Sequence, residues 1–175
     1  MKRPIRLQLD PMEADYLRTT PPDRISFDGL HGNLVVKAAW TDDSASSSYR
    51  PSNDELTIER VALAVVLEEL IAAARKVASG SKSIQNVVIH GTPLEFAVGR
   101  TDDAVTTSLV EAIGYSDEER VLGHISLTPT GFSALVAEMI SEFVRQIVDA
   151  SPVFGRDPGL RRLKQEAQTF LRRRS

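Results

Sequence analysis

Three histidines, His31, His90 and His124, and three acidic groups, Asp42-Asp43, Asp102-Asp103 and Asp117-Glu118-Glu119, are the side chains here suited to moving protons or holding a hard cation. The histidines are far apart, and none has a histidine or carboxylate four residues away, so no helical zinc signature exists. Each sits beside a glycine at an expected strand end and reads as a turn or core histidine bonded to backbone. The acidic groups read as loop solvation or helix capping. With no cysteine, a thiol nucleophile, a thiolate metal site and a disulfide are all excluded. There is no Gly-x-x-x-x-Gly-Lys-Ser/Thr loop for phosphate and no Gly-x-Ser-x-Gly elbow, and Gly29-x-x-Gly32 is too short for a dinucleotide fingerprint. No catalytic, cofactor-binding or metal-ligating residue is therefore assigned. An enzyme would need a site around His31, His90 or His124 built by spatial convergence. Trp40, the sole tryptophan, reads as a core-edge residue.

The elements that would carry these residues fit one compact domain, because 175 residues with 42% apolar and 26% charged composition can bury a substantial core. Residues 1–155 are read as a single α+β domain with a seam at 41–53, and 156–175 as a basic amphipathic helix. Net charge is −3, unevenly distributed. Residues 156–175 carry a local +5, so the other 155 residues carry −8. The N-terminal residues lack the apolar core and cleavage site of a secretory signal, and the longest apolar run, Val61 to Leu67, is far too short to span a bilayer. A cytoplasmic protein with no membrane partner is expected.

Alternation predicts a strand at Ile5 to Leu9, followed by a short helix from Met12 to Arg18. Ile25 to Phe27 and Leu34 to Trp40 are expected to pair as a hairpin through Asp28 to Asn33. Thr41 to Asn53, rich in serine and aspartate, is either a mobile loop or the seam. Ser52-x-x-Glu55 reads as a capping box opening a helix from Asp54 to Ser79 that is apolar all round in its middle and hence buried. A strand follows at Ile84 to His90, while Leu94 to Val98 fits either a strand or a short helix. Thr101 reads as an N-cap for a helix from Asp102 to Ile113, and Val121 to Leu127 as a strand.

Thr128-Pro129 then starts the strongest helix, in which Phe132, Leu135, Val136, Met139, Ile140, Phe143, Val144, Ile147 and Val148 recur at three-and-four spacing. Such a stripe needs a partner surface, supplied by the core, a second copy, or both. Phe132, Leu135, Met139, Phe143 and Ile147 are the expected contacts for self-association or a protein partner. Asp157-Pro158 caps the last helix, with Leu160, Leu163, Ala167, Phe170 and Leu171 on one face. Its cations, Arg161, Arg162, Lys164, Arg172, Arg173 and Arg174, are the expected contacts for an anionic partner.

Residues 94–140 resemble winged-helix regulators of the MarR type: Val105-x-x-x-Leu109-Val110 matches the recognition helix, and Asp117-x-x-Arg120 before Ile125-x-Leu127-Thr128-x-x-Gly131 matches the wing. If Leu94 to Val98 is helical, the resemblance implies a helix-turn-helix reading DNA through Arg100, Thr106, Thr107 and Ser108, with the arginine tail assisting. The chain departs from that pattern at Glu95, where a small residue is wanted. Its wing, Ser116 to Arg120, is mostly acidic, and Asp102, Asp103 and Glu111 flank the recognition segment, so repulsion from phosphates is expected. The leading expectation is a non-enzymatic regulatory or protein-interaction protein that self-associates. The alternatives are a winged-helix nucleic-acid binder and an enzyme with an unrecognised histidine or carboxylate site.

Overall fold

Ile5 and Leu7 are fully buried on one side of strand β1 (Ile5–Leu9), the period-two pattern at work. The computed structural model describes residues 3–114 and 118–172. Asp10 caps helix α1 (Pro11–Thr19) by accepting from the Met12 N–H at 2.8 Å. After two 3-10 turns come β2 (His31–Lys37), β3 (Ala39–Trp40), a 3-10 turn at Asp42–Ser46 and β4 (Glu55–Ala62). Helix α2 (Leu63–Ala78) leads into a meander of β5 (Gln85–Val88), β6 (Leu94–Arg100), β7 (Val105–Ala112) and β8 (Glu119–Leu127). Two helices follow: α3 (Pro129–Ala150) and, past the turn Pro152–Arg156, α4 (Pro158–Arg172).

The architecture is α+β, with two antiparallel sheets of strand order β1-β2-β4 and β3-β8-β7-β6-β5. The chain changes sheets at Ala38, between β2 and β3, and returns through residues 41–54. That return is tied down: the Thr41 hydroxyl donates to the Val121 carbonyl at 2.6 Å, and Ser44 and Ser47 are buried. Helix α3 packs against α2, α4, α1 and β1. It also blunts the open edge of β1, since the Gln146 amide accepts from Leu9 N–H at 2.6 Å and donates to Leu7 C=O at 2.8 Å.

Several expected elements change type. The helix expected over Asp54 to Ser79 begins only at Leu63, and its first part is strand β4, with Leu56 and Ile58 alternating inward. Ser52 and Glu55 close a tight turn through Asn53 and Asp54, at φ 51° and 64°, with reciprocal backbone bonds. The serine-to-glutamate spacing that suits a capping box also suits this hairpin turn. No side chain caps α2; its first amide, Leu63 N–H, instead donates to the Leu30 carbonyl at 3.1 Å.

The helix expected over Asp102 to Ile113 is strand β7. Thr101 closes a turn with Ala104 by two backbone and side-chain bonds, and the β-branched Val105-Thr106-Thr107 pairs on both sides, with β6 and β8. Leu94 to Val98 is also strand, with Leu94, Phe96 and Val98 buried. The described residues between 94 and 127 thus form antiparallel strands where the winged-helix resemblance implied a recognition helix at Val105 to Val110; Ser116 and Asp117 lie outside the described residues. The hairpin expected from Ile25 to Trp40 does not form either. Pro22–Arg24 and Phe27–Gly29 are 3-10 turns, and β2 pairs with β1 and β4. The amides of Ile25 and Leu30 are spent inside these turns, on the Pro22 and Phe27 carbonyls.

Candidate functional site

The three histidines end up in three separate places, and side chains rather than backbone meet them. His31 lies 3.5 Å from Glu13, His90 lies 3.2 Å from Glu69, and His124 Nδ1 is 2.9 Å from the Ser108 hydroxyl. The expectation of turn or core histidines bonded to backbone holds only in part: His90 sits in the turn after β5, but the His31 and His90 side chains are 48% and 53% exposed and meet carboxylates. Among the described residues, no three histidine or carboxylate side chains gather where they could hold a metal. The Ser108–His124 pair resembles half of a nucleophile–base unit. It lies across two paired strands, opposite Ala97 and Ala39, where no carboxylate orients the ring and the strand amides are engaged in the ladder.

Of the acidic groups, Asp102 pairs with Lys82 at 2.7 Å at the tip of the β6–β7 turn, and Asp42-Asp43 open a 3-10 turn. Trp40 donates its indole N–H to the Asp54 carbonyl at 3.0 Å and packs against the core edge over Gly123. Glu95 and Glu119 flank a cavity of about 190 Å³ with Val88 and Val110. Burial, and secondarily the Glu119 carboxylate, push the Glu95 pKa up from its ordinary value. The folded chain therefore holds the Glu95 proton more tightly than the unfolded one, so stability is lost as pH rises through the raised value. Glu95→Gln is expected to stabilise the protein at neutral pH and to give no gain well below the ordinary carboxyl value of 4.5. Urea midpoints at the two pH values check this, and an equal gain at both would refute the electrostatic cause.

The expected interface stripe is spent on the molecule's own core. Phe132, Met139 and Ile147 are 0% exposed, Phe143 1% and Leu135 6%, so the surface that the stripe needed is supplied by α2, β1 and α4. Within one chain these five residues are covered by its own elements.

What α3 leaves open lies on its other side. Asp157 caps α4 by accepting from the Leu160 N–H at 2.9 Å, and Leu160, Ala167 and Phe170 bury one face of α4 on α3. A bidentate pair from Arg75 of α2 to Glu166, both contacts 2.9 Å, fixes one flank. The Glu166 hydrogen bond, aided by its charge and against a smaller burial effect, raises the Arg75 pKa further. Along the opposite flank, α3 and α4 diverge into a cavity of about 340 Å³. Val148, Ala167 and Leu171 make it apolar, Ser141 and Gln168 are its uncharged polar members, and Arg145 and Asp149 of α3 and Lys164 of α4 are its charged ones. A second cavity of about 180 Å³ shares Ser141, Arg145 and Leu171 and extends to Glu138 and Arg3. Glu138 to Asp149 is twelve residues of α3, eleven helical steps, so the combined groove runs about 17 Å.

No known protein family, curated protein or solved structure matches this chain. The groove must therefore be read from its own chemistry. Helical spacing of about 100° per residue places Arg161, Lys164 and Arg172 along the groove side of α4, whereas Arg162 lies on the far flank in a separate cavity of about 170 Å³ with Asp28 and Glu68. Arg173 and Arg174 lie outside the described residues. Arg161 and Lys164 make no ion pair among the described residues, and Arg145 has only a 3.8 Å contact to Glu142. Arg145 and Ser141 were not singled out from sequence, and Val148 was read only as a member of the apolar stripe. The signal for the first two was the polar stripe at 138, 141, 145 and 149 on the back of the apolar one.

Proposed function

We propose that this protein is a non-enzymatic interaction protein that binds an acidic segment of a partner protein along the α3–α4 groove. The observation carrying this reading is the basic wall that α4 gives an apolar cleft: Lys164 lines it and Arg161 lies one turn away on that side. Both belong to a segment, 156–175, that carries +5 against −8 for residues 1–155. From α3 come Arg145 and Asp149, while Glu138 and Glu142 are paired with Arg3. An acidic body repels an acidic partner everywhere else, which focuses the encounter on this wall. The wall also argues against a second copy as occupant, since two such surfaces would bring like charges together. No helix among the described residues is long and apolar enough to cross a membrane.

The test is fluorescence anisotropy with a labelled glutamate-rich peptide against the wild type and the Arg161→Glu/Lys164→Glu double variant. Two lost cation contacts, reversed in sign, are expected to weaken binding at least about tenfold, and wild-type binding should weaken as salt rises. Equal affinity of both proteins, or tighter binding of an oligonucleotide than of the peptide, would overturn the reading.

A further inference from the structure

The geometry points to an amphipathic α-helix as the form in which the acidic segment binds, packed as a third helix against α3 and α4. This rests on the function proposed above and specifies its partner. Both walls of the groove are helices whose backbone amides are already bonded within each helix, leaving no free row of N–H and C=O groups to pair with an extended chain. A strand laid there would bury its own backbone groups without partners, whereas a helix satisfies them internally.

The wall spacing fits the same occupant. Ser141, Arg145 and Val148 step along α3 by four and three residues, and Lys164, Ala167 or Gln168, and Leu171 step along α4 in the same way. Such ridges leave a groove that accepts the side chains of another helix. A groove of about 17 Å takes about 12 helical residues, or three turns. The ligand helix would set apolar residues at i, i+3 or i+4, and i+7 along the line from Val148 to Leu171, the latter 41% exposed. Its carboxylates would fall on both flanks, toward Arg145 on one side and Lys164 and Arg161 on the other. Ser141, whose hydroxyl is bonded to the Ala137 carbonyl, lines both cavities, so a bulky side chain there would fill them.

The experiment compares three labelled peptides of one composition by anisotropy: an amphipathic glutamate–leucine helix, the same peptide with a central proline, and a scramble that destroys the apolar stripe. Each is titrated into wild type and into Ser141→Trp, which fills the groove and leaves every cation in place. Circular dichroism melts confirm that the variant is folded, and Gln168→Trp, at an exposed residue of the groove's other wall, serves as a second filling variant. The intact helix should bind wild type at least about tenfold more tightly than the other two, and both filling variants should remove that preference. If all three peptides bind alike and the filling variants change nothing, while Arg161→Glu/Lys164→Glu still weakens them, the helical occupant is wrong and the acidic-partner reading stands. If no peptide binds wild type, both fall.

Discussion

Gly32→Ala is expected to be the most damaging single-methyl change in the protein. A Cβ at this position would lie 2.1 Å from the Gln8 carbonyl oxygen and 2.6 Å from Leu63 Cδ1. The first contact is with backbone, so no rotamer change relieves it; β1 and β2 must separate where Leu9 pairs with Gly32. The second pushes on the start of α2, whose first amide is held only by the Leu30 carbonyl. Overpacking of this kind costs roughly 1–3 kcal/mol, and a clash against fixed backbone belongs at or beyond the upper end. The matched control is Gly29→Ala, in a turn where an added Cβ meets nothing within 4 Å. Surface changes of that kind stay within about 0.5 kcal/mol. Urea unfolding of the pair measures the difference, and similar midpoints would show that β1 and α2 do not approach Gly32 as closely as described.

Truncating Phe143 should cost about 3–5 kcal/mol, the usual range for a fully buried phenylalanine. Its ring is 1% exposed in the central core cluster, on the helix that α1, α2, α4 and β1 all contact. Phe143→Ala leaves a cavity among elements too firmly tied to collapse into it, with Gln146 one turn on holding β1 and Arg75 holding α4. The same variant separates two roles for the apolar stripe. If Phe143 serves the monomer core, unfolding shifts to much lower urea while the sedimentation coefficient of the folded variant matches wild type. A change in association state with little loss of stability would instead return Phe143 to an interface between copies.

Helices α3 and α4 were legible because everything that specifies them is local. Thr128 accepts from the Gly131 N–H at 3.0 Å, Pro129 occupies the first turn, and a three-and-four apolar period runs through both helices. Strands β1 and β8 were legible through alternation. The errors at β4 and β7 share one physical cause. At 101–104 the Thr101 hydroxyl bonds the Ala104 backbone, chemistry that can start a helix or close a turn, and at 52–55 a serine-to-glutamate spacing that suits a cap is closed into a turn by the backbones of Ser52 and Glu55. Which outcome forms depends on strands distant in sequence: Val36 and Leu34 for Leu56 and Ile58, Phe96 and Gly123 for Leu109.

The sequence by itself determined an α+β chain, the position and caps of its two longest described C-terminal elements, the absence of cysteine chemistry, and a cationic segment on an acidic body. Only tertiary structure decided where those features point. It turned the α3 stripe inward, set Arg145 and Lys164 on one apolar cleft, and sent Arg162 to the other flank. Periodicity reports which residues share a face of one helix. A groove belongs to two helices at once, and their relative placement follows from packing between residues far apart in the chain.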